Sequence, residues 1–268
     1  MLEGIRESID GIYQEGKMLC SAYWPVPVLA VSSILALKGL DGPENAVLVD
    51  TPVKEVVPVI EDSGQWGFDV LPGTGNVFKR YAPIELKLTS PQSALLSESE
   101  FRGIVQEDAD VWNEVLTDVD SIVRFNVSSR SFNSRSCIWT PSGTALNTDT
   151  VSICLYGPQA WAEHEFFESD SSREEKLGWA CQSHFLNANG VPHLGNSVVL
   201  LKELDEGRKA VKSVLLHELG HVLGLVDLYD GVSDQNIMNG YSAVYPQLID
   251  SGTRAGIQRV YGAHAENE

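Results

Sequence analysis

The chain has 268 residues, 43 % of them hydrophobic, enough for one moderate domain with extra segments or for two small ones. A net charge of −18 and a pI near 4.6 argue against a nucleic-acid partner and against binding to anionic lipid. Such a surface suits a soluble protein and by itself implies no partner.

Residues 1–17 are polar, with Glu3, Glu7, Asp10 and Glu15 against Arg6 and Lys17. The apolar run at 22–37 is short for a membrane span, which needs about 20 residues. It is closer to a signal-peptide core, and Ala30, Ser32, Ser33 and Ala36 suit cleavage. Its acidic lead and the interruptions at Pro25 and Pro27 favour the alternative, a buried stretch of a pro-region; a start at Met18 would remove most of the acid. Residues 1–37 are read as a leader or signal-like segment, with secretion and no stable membrane association expected. Residues 38–79, rich in Gly, Pro, Val and acids, predict short strands and turns in a pro-segment or linker. Among Cys20, Cys137, Cys154 and Cys181 there is no CxxC pair, which disfavours a cysteine zinc site. Cys137 and Cys154 flank a turn-rich stretch and are candidates to pair across it; buried free thiols are the alternative.

From Pro83 the pattern becomes orderly. Ile84, Leu86 and Leu88 alternate with polar residues, as in a half-buried strand. A helix is predicted over 97–117, capped by Ser97 or Ser99, with Phe101, Ile104, Val105, Ala109, Trp112 and Leu116 at helical spacing. Trp112 reads as core. Strands are predicted over 122–127 and 151–155. Residues 158–177 form a polar loop with Glu163, His164, Glu165, Glu168, Asp170, Glu174 and Glu175, either solvated or ordered around a second metal. Strands follow at 178–186 and 196–201, and His184 and His193 near the turn between them read as capped or surface histidines.

The next helix is expected to begin near Asp205 or Glu206, whose charges complement a helix N-terminus. Ala210, Val211, Val214, Leu215, Leu219, Val222 and Leu223 supply its core face. His217 and His221, four apart, lie on one face and can point both imidazoles at one zinc ion. Glu218 falls to the side, where it can polarise water without occupying a ligand position. Gly224 ends the helix by tolerating a left-handed conformation, and the reversal can return Asp227 as third ligand. Asp230 is its rival. Two imidazoles, a carboxylate and a water make an open, catalytic type of site.

HELGHVLGLVD over 217–227 resembles the metzincin signature HExxHxxGxxH, with aspartate in place of the third histidine as in snapalysin-like metalloproteases. Asn-Ile-Met-Asn-Gly at 236–240 is similar to the methionine turn of that group. The resemblance implies an α+β metzincin-like zincin domain over 80–268. It would hold a twisted mixed, mostly parallel sheet, an active-site helix and a C-terminal helix within 246–262. It also implies that 178–186 is the edge strand over the cleft, where a peptide can add by main-chain hydrogen bonds. Matrixin-like enzymes often bind calcium or a second zinc in the loop equivalent to 158–177, which makes Ca2+ a candidate beside one catalytic Zn2+. No matrixin cysteine switch stands in 38–79, and Asp62 and Asp69 are the candidates there for an inhibitory group. Tyr241 and Tyr245 are candidates for the pocket wall or for a hydrogen bond to the tetrahedral intermediate. Tyr241 stands three residues after Met238, where astacin-type enzymes place their metal-binding Tyr two after. The expected activity is that of a monomeric zinc endopeptidase acting on protein or peptide, with Glu218 as general base. The alternative is a non-catalytic, zinc-containing protein-binding module on the same fold.

Overall fold

Ile84 and Leu86 are fully buried while Glu85 between them is exposed, so the strand they form lies with one face in the core. The structure, a computed structural model, describes residues 51–53, 56–60, 65–89, 91–132, 149–163, 176–187, 189–229, 231–240 and 245–262. In chain order the strands are β1 (Thr51–Pro52), β2 (Val57–Ile60), β3 (Gly67–Val70), β4 (Ile84–Thr89), β5 (Phe125–Phe132), β6 (Thr150–Tyr156), β7 (Gly178–Leu186) and β8 (Pro192–Lys202). The helices are α1 (Glu98–Asp118), α2 (Pro158–Ala162), α3 (Arg208–Val222) and α4 (Ser251–Tyr261).

Six strands form one mixed sheet in the order β1-β7-β8-β6-β4-β5. The pairs β5/β4, β4/β6 and β6/β8 are parallel, whereas β7 runs antiparallel to β8 and β1 antiparallel to β7. Alternation along the central strands splits the core in two. Val151, Ile153, Leu155, Val199 and Leu201 face the large cluster shared with α1, α3 and α4, while Cys154, Tyr156, Val198 and Leu200 face a small one with Trp161 of α2. This α+β architecture with a mostly parallel sheet agrees with the expected class.

α1 begins as its sequence predicts. Ser97 Oγ accepts the Glu100 N–H, and Glu100 returns a bond to the Ser97 N–H, a capping box. Trp112 is fully buried, and its Nε1 donates to Leu216 O on α3 at 3.0 Å. Two expectations and one alternative are corrected. Ile122 is 71 % exposed and β5 starts only at Phe125. α3 starts at Arg208, because Gly207 at φ +68° breaks the helical path and leaves Asp205 and Glu206 in the preceding turn. Cys154 and Cys181 are both disulfide-bonded rather than free thiols. They lie on β6 and β7 with β8 between, roughly 9–10 Å apart by strand spacing, too far to bond to each other. Cys137 lies outside the described residues. Among those residues no helix is long and apolar enough to cross a membrane.

The expected division at residue 80 meets no break in the packing. Phe68, Val70 and Phe78 are buried, and Phe68 belongs to the large core. Full burial of such side chains contributes about 1.5–3 kcal/mol each, a large share of the 5–15 kcal/mol typical of a domain. A chain beginning at residue 80 is therefore expected to lose its cooperative unfolding transition, whereas one beginning at residue 51 keeps it. Urea denaturation followed by circular dichroism separates the two, and equal midpoints would refute the role given to 65–79.

Asp108 on α1 is a buried carboxylate, and neither oxygen has a hydrogen-bond partner. Burial pushes its pKa up to about 8; Lys212 and Arg208 of α3 oppose the rise and Glu107 adds to it. A carboxyl whose folded pKa exceeds its unfolded value binds more protons when native. Its contribution to stability therefore falls as pH rises from about 4 to about 8. Asp108→Asn is expected to flatten that slope and to be more stable than wild type by a few kcal/mol at pH 8. Urea unfolding at pH 5 and pH 8 measures it; a variant with the wild-type slope would count against the assignment.

Candidate metal centre

α3 carries His217 and His221 on successive turns, with ring centroids 4.7 Å apart and planes at 85°. Each ring is aimed by a main-chain carbonyl: His217 Nδ1 donates to Ile237 O at 2.7 Å and His221 Nδ1 to Leu225 O at 2.8 Å. With the proton on Nδ1, each Nε2 presents a lone pair. The two Nε2 atoms lie 3.1 Å apart, and Asp227 Oδ1 lies 3.0 Å from one and 3.3 Å from the other. Ligands at 2.0–2.1 Å in a tetrahedron about zinc are separated by roughly 3.3 Å. The three atoms therefore match one face of that tetrahedron. Oδ1 is buried without a hydrogen-bond partner, while Oδ2 accepts from Tyr229 Oη at 3.0 Å. These donors fit a divalent cation such as zinc.

The electrostatics agree. Burial opposes charge on the His221 ring, yet Asp227 and then Glu218 outweigh it and push its pKa up to about 10. Burial likewise opposes ionisation of Asp227, but the two imidazoles hold it well below the usual carboxylate range. A field that favours a proton at these nitrogens equally favours a metal cation.

The turn delivering Asp227 follows the predicted path. Gly224 adopts φ +90°, and a Cβ there would meet Phe78 O at 2.8 Å. Glu218 is 5 % exposed and receives the Ala180 N–H from β7, while its Oε2 has no partner. Burial, with Asp227's charge in support and the imidazoles opposing, raises its pKa. Met238 is buried beneath the site, where a Cβ at Gly220 would collide with its sulfur.

Several supports carried no local signal or only a weak one. Asp250, the N-cap of α4, accepts the Ile237 N–H at 3.0 Å, so the residue whose carbonyl orients His217 is itself held. Asn236 Oδ1 accepts the Met238 N–H at 2.8 Å. A Cβ at Gly178 of β7 would stand 2.5 Å from Glu218 Oε1, so only glycine leaves that carboxylate its place. Gly220, in a helix interior where glycine is unfavourable, was the one such residue with a readable trace.

Other predicted residues fall elsewhere. His184 Nε2 pairs with Asp69 Oδ2 at 3.2 Å in a buried contact, so neither reaches the centre. His193 stacks on Tyr81 and meets Asn187. Tyr245 hydrogen-bonds Glu206 beside the start of α3, at the opposite end of the helix from His217 and His221, and Gln247 Nε2 donates to Lys209 O nearby. Asp62, Asp230, Tyr241 and residues 164–175 lie outside the described residues, and with them any calcium site in the acidic loop.

No family model matches the chain, and no curated protein does. Among solved structures it is similar to metalloproteinase-II from Bacteroides fragilis, with 15 % identity and a TM-score of 0.37 over 81 % of this chain. The match spans 59 % of that protein's length.

Proposed function

We propose that the chain is a zinc-dependent endopeptidase of metzincin type. The observation that carries the reading is the triangle of His217 Nε2, His221 Nε2 and Asp227 Oδ1, with separations of 3.0–3.3 Å. Glu218 beside it contributes no atom to that triangle. Two imidazoles and one carboxylate are a donor set zinc accepts. Bound there, zinc would supply Lewis acidity, polarising a scissile carbonyl and acidifying water. Glu218 Oε2, buried and without partner, takes the proton of the attacking water and passes it to the leaving amine. The Ala180 N–H fixes the other end of that carboxylate, so the base is oriented before substrate arrives. No serine or cysteine nucleophile is needed.

The substrate is a protein or peptide lying extended near Gly178 and Ala180, the part of β7 next to Glu218. Disulfides at Cys154 and Cys181 suit an oxidising compartment and support secretion. A non-catalytic module on this fold would be expected to have lost the base, and Glu218 is in place. Digestion of a peptide library by the zinc-loaded protein, with and without a chelator, is the test. Internal cleavage that stops on chelation and returns with zinc is expected. Zinc-loaded protein that cleaves nothing would end the proposal.

A further inference from the structure

The short turn between the two histidines and Asp227 is held at almost every residue by a distant part of the chain. Arg80 Nε donates to Val222 O at 3.2 Å. Tyr261 Oη donates to Leu223 O at 2.8 Å and accepts the Arg80 N–H at 3.1 Å. The Asp69 N–H donates to Gly224 O at 3.3 Å, His221 Nδ1 to Leu225 O at 2.8 Å, and the Val226 N–H to Gly67 O at 3.2 Å. The N–H groups of Gly224 and Leu225 close on α3, at His221 O (2.8 Å) and Gly220 O (3.1 Å), whereas the carbonyls of Val222, Leu223 and Gly224 are held from outside the ligand helix.

Arg80 is the costly member. Its side chain is fully buried, its Nη2 reaches Ser197 Oγ at 2.6 Å, and its Nη1 stands 3.6 Å from Asp149 without a hydrogen bond. Such a charge is a poor stabiliser of a fold, since desolvation offsets most of what the pairing gains. It faces the carbonyl end of α3, where a positive charge is favoured by the helix dipole.

We infer that Arg80, linked through Tyr261, is a positioning residue for the metal centre, setting the turn that brings Asp227 Oδ1 to the two Nε2 atoms. The inference rests on the zinc reading above. Lysine cannot reproduce the guanidinium fork that reaches Val222 O and Ser197 Oγ together. Arg80→Lys is therefore expected to lower zinc affinity by about 10–100-fold, the usual effect of losing a group that orients ligands. Tyr261→Phe, which removes only the hydroxyl, should lower it severalfold.

The experiment uses the full chain. Zinc affinity is read by chelator competition, ligand geometry by the visible spectrum of the cobalt-substituted protein, and fold by thermal melting without metal. Weakened affinity with an altered cobalt spectrum, in variants that still melt cooperatively, supports the inference. Unchanged affinity and spectrum overturn it, whether or not the melting temperature falls. Should Arg80→Lys fail to fold, Tyr261→Phe decides by the same two readouts. Wild-type protein that binds no zinc would instead remove the metal reading itself.

Discussion

Glu218→Ala is expected to lower peptide hydrolysis by roughly 10²–10⁴-fold, the contribution of a positioned general base, while zinc stays bound. The two outcomes separate because Glu218 shares the helix of the ligands but not their stripe. Among the described residues the donor triangle is closed by His217, His221 and Asp227. Each imidazole is oriented by a carbonyl that Glu218 does not touch. What the carboxylate contributes is a buried, partnerless Oε2 next to that triangle, with the Ala180 N–H as its anchor. Glu218→Gln should behave alike, since the amide keeps the shape and cannot take a proton. Metal content by mass spectrometry and turnover of a cleaved peptide measure the two effects. Wild-type turnover by zinc-loaded Glu218→Ala would sink the assigned role.

The three candidate ligands could be brought together from sequence because their geometry is local. A four-residue step on a helix and a glycine that reverses the chain place His217, His221 and Asp227 with little help from elsewhere. The same holds for β4 and β6, whose alternation survives in the fold, and for Ser97, whose capping box spans four residues. What escaped is long-range. Arg80 reaches Val222 across 142 positions, and Asp250 holds Ile237 from the start of another helix. A single buried Arg or a capping Asp has no period to detect. The short strands expected within 38–79 are present as β2 and β3, but strands of four residues are too short for alternation to show which face is buried, and nothing local marked Phe68 as part of the core. Asp205 and Glu206 misled in the opposite sense, being acids suited to a first turn in a stretch that Gly207 keeps out of the helix.

Asp227→Ala is expected to remove zinc altogether at micromolar metal, a larger loss than the roughly 10–100-fold typical of an orienting group, because it deletes one of the three donors that converge among the described residues. Alanine leaves two imidazole lone pairs 3.1 Å apart with nothing to complete the face. It also removes the Oδ2 acceptor of the Tyr229 hydroxyl, a bond that directs Oδ1 at the histidines. Asp227→His should restore binding, since imidazole suits zinc equally well and histidine stands at this place in the signature that the motif resembles. Asp230→Ala should retain zinc. Asp230 stands nine residues after His221 rather than six, and the reversal at Gly224 already delivers Asp227. Tyr229→Phe should fall between, weakening binding without abolishing it. Mass spectrometry of metal content on the four purified variants, each checked for its thermal transition, is the measurement. Full zinc occupancy in a folded Asp227→Ala, or loss confined to Asp230→Ala, would show that the third ligand is another residue.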